Sequence, residues 1–216
     1  MNPVHLLIFD LDGTLVNTLE DITASVNFTL LQLGRPPLSL ESVRQYVGDG
    51  LEMLLARALG SHTDLLSEAT GIYTVHHSRN LVRHSRLYPG VGETLEHLRQ
   101  LPMAVVTNKT LAFSEPLLMQ LGIRQYFGMV LGADAGLPLK PAPDALLAIM
   151  KNLGIPREHT LVVGDGTTDI RAGKAAGIDT CAVTYGFRSE TELRQAGPDH
   201  IIHAFPELVA LVEAKG

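Results

Sequence analysis

Val4-His5-Leu6-Leu7-Ile8-Phe9-Asp10-Leu11-Asp12-Gly13-Thr14-Leu15-Val16 is the stretch on which the fold turns. From Val4 to Phe9 it is an almost unbroken apolar run rich in strand formers, the pattern of a strand buried on both faces, and it ends abruptly in acids. Asp10 and Asp12 are two residues apart, so extended backbone points both carboxylates to one side, and Gly13-Thr14 then lets the chain turn away. Two neighbouring carboxylates resist sharing charge unless a cation lies between them or one keeps its proton. The pair serves chemistry or is a polar turn closing a strand; the stretch alone leaves both open.

Beyond Val16 the pattern turns helical for some seventy residues. Leu19, Ile22, Val26, Leu30 and Leu33 recur at steps of three and four and stop at Gly34 and Pro36-Pro37. Ser39 predicts the cap of a second helix through Val47, with Glu41 in its first turn. Gly48-Asp49-Gly50 breaks it, and Leu51, Leu54, Leu55, Ala58 and Leu59 form the stripe of a third. A fourth, polar and His-rich, is expected over about 63–86. His76 and His77 are adjacent and cannot share a helix face, which argues against a metal pair; His62, His84, His200 and His203 read as structural or exposed.

At Tyr88-Pro89-Gly90-Val91 short apolar strands begin to alternate with helices. Strands are expected at 103–107, 129–131, 160–163, 180–184 and 200–202, with helices around 95–101, 111–121, 142–153, 169–176 and 205–215. This alternation predicts an α/β fold with a parallel, doubly wound sheet. The first strand belongs to that sheet, so the core is discontinuous, 1–15 plus 88–216, with a helical insertion at 16–87. The crossings near Val16-Asn17 and Arg86-Leu87 are candidate hinges.

The 216 residues suffice for a sizeable core, and 45% hydrophobic with 19% charged content is that of a globular protein. A formal charge of -6 supplies no basic surplus for nucleic acid or an anionic membrane, so any phosphate must be held locally. The single cysteine, Cys181, excludes an internal disulfide framework and, among apolar neighbours, reads as an inert buried thiol. The N-terminal apolar run is short and ends in acids, unlike a secretory signal, and no stretch is long enough to span a bilayer. The expectation is a cytoplasmic protein acting on a small molecule, monomer or homodimer.

In open α/β sheets, ligands sit outside the carboxyl ends of the strands. After the predicted strands come Asp10 and Asp12; Thr107-Asn108; Lys140-Pro141, past a loop; and Gly164-Asp165-Gly166-Thr167-Thr168-Asp169. Each has a plain structural reading: turn, helix cap, solvated loop. Their order along one sheet edge carries the functional one. Asp165 with Asp10 makes an all-oxygen anionic environment suited to a hard cation such as Mg²⁺. Thr107 and Lys140 supply donors for phosphoryl oxygens, and phosphoryl transfer needs mainly positioning and charge neutralisation.

These segments together resemble the haloacid dehalogenase superfamily of phosphotransferases over essentially the whole chain. Asp10-Leu11-Asp12-Gly13-Thr14-Leu15-Val16 is similar to its DxDGTxV box, Thr107-Asn108 to its second motif, Lys140-Pro141 to its third, and Gly164-Asp165 with Asp169 to its fourth. The helical insertion resembles the family's smaller cap. Val43-Arg44-Gln45-Tyr46-Val47-Gly48-Asp49-Gly50 and the Tyr-Pro-Gly-Val re-entry are most similar to its bacterial phosphoglycolate phosphatase branch. The resemblance implies Asp10 as nucleophile and Asp12 as general acid and base, with Thr107 and Lys140 on the phosphoryl oxygens. It implies Mg²⁺ held by the Asp10 side chain, the Asp12 carbonyl and Asp165, with Asp169 behind them orienting a metal water or Lys140. An acid often stands in the family where this chain has Asn17, and a serine or threonine where it has Gly166.

Rival readings share parts of this set. A sugar-phosphate phosphatase or phosphomutase, a pyrophosphatase and a nucleotidase need the same core. A haloalkanoate dehalogenase does not use Asp12 with magnesium. A phosphonate hydrolase needs a cap lysine, and residues 17–85 contain none. A non-enzymatic phospho-receiver module has no need of the insertion, and Asp169 spoils a dinucleotide-binding glycine fingerprint. For substrate contacts the core offers Asn108 beside Thr107, and the insertion offers Gly48, Asp49 and Gly50 as a loop entering the site and Arg44 as a carboxylate partner, or else as a residue on a solvated helix face.

Overall fold

The computed structural model describes residues 3–214 and places β1 (Leu6–Phe9) inside a parallel sheet. β4 (Met103–Val106) pairs with it on one side, Leu7 opposite Met103, and β6 (Thr160–Gly164) on the other, Phe9 opposite Val163. With β5 (Met129–Leu131), β7 (Asp179–Val183) and β8 (His200–Ile202) the order is β5-β4-β1-β6-β7-β8, every pairing parallel. The chain builds outward from β1 to β5, then returns to β1's other flank, so β1 sits where the winding reverses and its carboxyl end opens on the crevice.

The period of two along β1 sorts its side chains to the two faces. Leu7 and Phe9 pack with Val91 and Leu95 of α5 (Val91–His97), Leu117 of α6 (Leu111–Gln120) and Leu208 of α10 (Glu207–Glu213). Leu6 and Ile8 pack with Leu146 and Ile149 of α7 (Asp144–Leu153) and Ala172 and Ala176 of α8 (Thr167–Ala176). All four β1 side chains are fully buried, each worth roughly 1.5–3 kcal/mol of transfer free energy, which is why both faces of the strand are apolar.

Between β1 and β4 stand α1 (Leu19–Gln32), α2 (Leu40–Tyr46), α3 (Leu51–Leu59) and α4 (Leu66–Ser78). They share a second apolar cluster that includes Ile22, Val26, Leu55 and Tyr73, and two side chains from the sheet side, Phe113 and Phe187, enter it. Both crossings into this block run together as a two-stranded antiparallel ladder, β2 (Val16–Asn17) with β3 (Arg86–Leu87).

Three sequence expectations need correction. The fourth helix ends at Ser78, not near 86. Asn80 Nδ2 caps it by donating to His76 O, and the buried Asp21 carboxylate on α1 then accepts from His84 N, Ser85 N and Ser85 Oγ, holding the chain extended into β3. A helix not expected from the pattern, α9 (Glu190–Ala196), follows β7, announced by a capping box in which Ser189 and Glu192 bond reciprocally. Of the closing helix, Lys215 lies outside the described residues. Third, His76 and His77, expected on different helix faces, both turn a ring Nδ1 to one hydroxyl, Ser25 Oγ, at 3.1 and 3.0 Å.

Candidate active site

Asp10 follows directly on β1, and its N–H donates to Val163 O, so the strand's pairing with β6 persists to the first acid. Leu11 O then collects the N–H groups of Leu15 and Val16 in a tight turn. Gly13 sits in that turn at φ +90°, and a Cβ there would lie 2.2 Å from Asp165 Oδ2, so both the backbone and the neighbouring acid require glycine. Thr14 ties the turn to β6: its hydroxyl accepts from Asp165 N at 2.9 Å and donates to Asp165 Oδ1 at 3.0 Å.

The two acids of the opening stretch have separate partners. Lys140 Nζ donates to Asp10 Oδ1 at 2.8 Å and to Val106 O at 2.7 Å. Asp12 accepts from Thr18 Oγ1 at 2.7 Å and from Lys109 Nζ at 3.1 and 3.2 Å. Lys109 is therefore a second lysine at an edge for which the sequence suggested one. Thr107 lines the same cavity and accepts from Lys109 N, while Asn108 works as a clamp. Its amide nitrogen donates to Gly48 O and Lys140 O, and its oxygen accepts from Lys140 N.

Asp10, Asp165 and Asp169 each present a carboxylate oxygen within 4.8 Å of the others. Burial pushes the Asp10 carboxyl up to about 6, with Lys140 pulling down and Asp169 pushing further up. Burial likewise raises Asp165, to about 8, reinforced by Asp10 and Asp169 and opposed by the Phe187 N–H and Thr14. Burial alone would lower the Lys140 ammonium, but Asp10 and Asp169 outweigh it and hold it above its ordinary range. Lys140 Nζ stands 2.6 Å from Asp169 Oδ1, and Asp169 Oδ2 accepts from Gly166 N at the start of α8. Mutual repulsion among buried carboxylates, and a donor set of hard oxygens, fit a divalent cation such as Mg²⁺.

Above this floor lies a cavity of about 140 Å³, lined on the sheet side by Asp10, Asp12, Thr107, Asn108 and Asp165 and on the helical side by Gly48, Asp49, Gly50, Leu51 and Leu54. The structure thus brings the expected loop to the site, with Asp49 bound to the Arg57 guanidinium. Arg44, expected either as a carboxylate partner or on a solvated helix face, lies away from this cavity. It is not among the cavity's lining residues; one terminal nitrogen donates to Gly186 O and the other faces Glu41 at 3.6 Å. Instead Phe187 and Arg188, in the loop after β7, reach the cavity. Nothing in the sequence marks Lys109 or Arg188, since each is defined by partners far along the chain; Phe187 and Arg188 lie just before the readable Ser189 cap.

Comparison with known proteins agrees with this architecture. The family model described as haloacid dehalogenase-like hydrolase matches residues 7–183. A phosphoglycolate phosphatase of Pseudomonas putida is 39% identical over 211 residues, 92% of this chain and 76% of that one. One from Nitrosococcus oceani is 35% identical over 216 residues, covering 96% of each. The crystal structure of a predicted phosphoglycolate phosphatase from Haemophilus somnus superposes with a TM-score of 0.93 at 32% identity, covering 98% of this chain and 99% of that one. With the carboxylates, Thr107 and Lys140 gathered at the carboxyl end of β1 and the match running through every sheet strand but the last, the chain belongs to the haloacid dehalogenase-like hydrolases.

Proposed function

We propose that this chain is a Mg²⁺-dependent phosphomonoester hydrolase working through an aspartyl phosphate on Asp10, and that it converts 2-phosphoglycolate to glycolate and phosphate. The observation that carries this reading is the different company kept by two acids at one cavity: Asp10 with Lys140, Asp12 with Thr18 and Lys109. Different partners allow different roles. An Asp10 carboxylate oxygen attacks phosphorus, and the bond from phosphorus to the glycolate oxygen breaks. Asp12 gives its proton to that leaving oxygen, then takes one from the water that attacks the acyl phosphate, so Asp10 is restored and phosphate released.

Thr107 and Lys140 receive the phosphoryl oxygens, and Lys140 also offsets the charge of Asp10. The Asp10 side chain, the Asp12 carbonyl and Asp165 would hold the metal, with Asp169 orienting Lys140 or a metal water. Bound there, Mg²⁺ supplies charge neutralisation between Asp10 and an incoming dianion. The helical block at 16–87 serves as a cap that closes the cavity against water, with Gly48-Asp49-Gly50 at its tip. A cavity of about 140 Å³ lies below the roughly 300–1,000 Å³ usual for larger ligands, which favours a substrate of a few carbons over a hexose phosphate or nucleotide. No helix of the described residues is long and apolar enough to cross a membrane, in keeping with a small cytoplasmic metabolite as partner.

Phosphate release from phosphoglycolate, sugar phosphates, nucleotides and pyrophosphate tests the reading, each with Mg²⁺ and with a chelator. Phosphoglycolate is expected to rank first and turnover to stop on chelation. Asp10→Asn should lower kcat by about 10⁴-fold or more with the fold retained. An active Asp10→Asn enzyme would falsify the nucleophile assignment.

A further inference from the structure

Of the cationic side chains at the cavity or beside it, all but one hold an acid in an ion pair. Lys140 is committed to Asp10 and Asp169, Lys109 to Asp12, and Asp49 to Arg57. Arg188 lines the same cavity and, among the described residues, has no carboxylate within ion-pair distance. Its two terminal nitrogens donate to backbone oxygens at the end of α2, Arg44 O at 3.2 Å and Val47 O at 2.5 Å. A guanidinium has five N–H donors, so donors and the full positive charge remain. The apolar part of the cavity lining, Val47, Leu51, Leu54 and Phe113, offers nothing to neutralise it, and Glu192 feels its charge only from beyond ion-pair distance.

Arg188 also borders an outer cleft of about 620 Å³, which places it in the wall between cavity and cleft. The acids there are already engaged: Glu192 accepts from Ser189 N and Ser189 Oγ, and Glu41 faces Arg44. The Arg188 loop is set by the catalytic floor itself, because Phe187 N–H donates to Asp165 Oδ2 at 2.7 Å. The side chain thus has a fixed root at the floor and two fixed contacts on the helical block, and its charge is unmatched in between.

We propose that Arg188 is the residue that selects an anionic leaving group, its guanidinium receiving the substrate's carboxylate while the phosphoryl group lies at Asp10. This rests on the phosphatase reading and deepens it. The selecting charge then comes from the sheet-side loop after β7 rather than from the cap. Arginine suits the task because its planar fork matches a carboxylate in two-point contact.

The test compares phosphoglycolate with ethyl phosphate, in which a methyl group replaces the carboxylate, as the ratio of kcat/KM values in the wild type, Arg188→Gln and Arg188→Lys. The wild type should prefer phosphoglycolate. In Arg188→Gln that preference should fall at least tenfold, chiefly through a higher KM for phosphoglycolate, and competitive inhibition by glycolate should weaken in parallel. Arg188→Lys keeps the charge without the fork, should fall between the two, and carries the test if the glutamine variant does not fold. If either folded variant loses activity on both substrates by one common factor, Arg188 serves only to tie the helical block down and the inference is overturned. A wild type indifferent to the carboxylate overturns the phosphoglycolate reading itself and this inference with it, a result distinct from an unchanged ratio.

Discussion

Asp12 is gripped by Thr18, six positions away, and by Lys109, 97 positions away. Acids that follow strands are legible because the topology delivers every strand's carboxyl end to one edge; a lysine whose meaning is its partner is not. The same blindness singles out Arg44, which does not line the cavity, and passes over Arg188, which does. Lys109 aims the Asp12 carboxylate without touching Asp10, so Lys109→Met should lower kcat by about 10–100-fold with a much smaller change in KM, as steady-state kinetics would show. Gly186 makes a second case. Its φ is not in the left-handed region, yet a Cβ there would lie 2.3 Å from the Asp165 Cβ. Gly186→Ala should therefore displace Asp165 and weaken Mg²⁺ binding by roughly tenfold or more, read by calorimetric titration, while circular dichroism stays unchanged. Unaltered affinity would remove Asp165 from the metal site.

At the scale of elements, β1, β4 and β6 were readable because both their faces are buried, which leaves apolar runs too short for helices. The end of α4 was not, because residues 79–86 contain neither Gly nor Pro and the stop comes from Asp21 on another helix. α9 lies outside the sequence expectations although its Ser189–Glu192 box is visible in the sequence, because seven residues hold too short an apolar stripe. α4 also carries His77, buried against Tyr73 and Phe113, its imidazole pushed down to about 2 by burial, then by Lys109 and His76. The unfolded chain takes up this proton below about pH 6.5 and the native state does not, so the contribution to stability is lost as pH falls through that value. Each pH unit below it costs up to about 1.4 kcal/mol, or about 2 kcal/mol by pH 5. Urea unfolding at pH 7.5 and pH 5 should show the change in stability over that interval to be more favourable in His77→Gln than in the wild type by up to about 2 kcal/mol, whatever the variant's stability at pH 7.5. Parallel changes would mean that His77 does not contribute to the pH dependence.

The whole molecule closes over its site through few polar contacts between sheet side and helical block: Thr18 to Asp12, Asn108 to Gly48 O, Arg44 to Gly186 O, and Arg188 to Val47 O and Arg44 O. Each ends on a residue of the floor or on one beside it, so what settles the floor should settle the molecule. Without metal the floor is strained electrostatically. Asp10 and Asp165 have folded values raised to about 6 and about 8 against 3.8, so the native state holds protons that the unfolded chain has released. The contribution of this metal-free floor to stability should therefore fall as pH rises from about 4 to 8, opposite in sign to that of His77. A bound divalent cation replaces those protons, and the benefit grows with pH because fewer must be displaced. At a Mg²⁺ concentration about 100 times Kd the stabilisation is about 2.7 kcal/mol, which for a chain of this size raises Tm by roughly 5–10 °C. Thermal unfolding with Mg²⁺ or chelator should show that rise at pH 8 and a clearly smaller one at pH 5. A shift that is absent at pH 8, or equal at both, would mean that the carboxylates at the end of β1 do not bind the ion, and the catalytic reading built on them would fall with it.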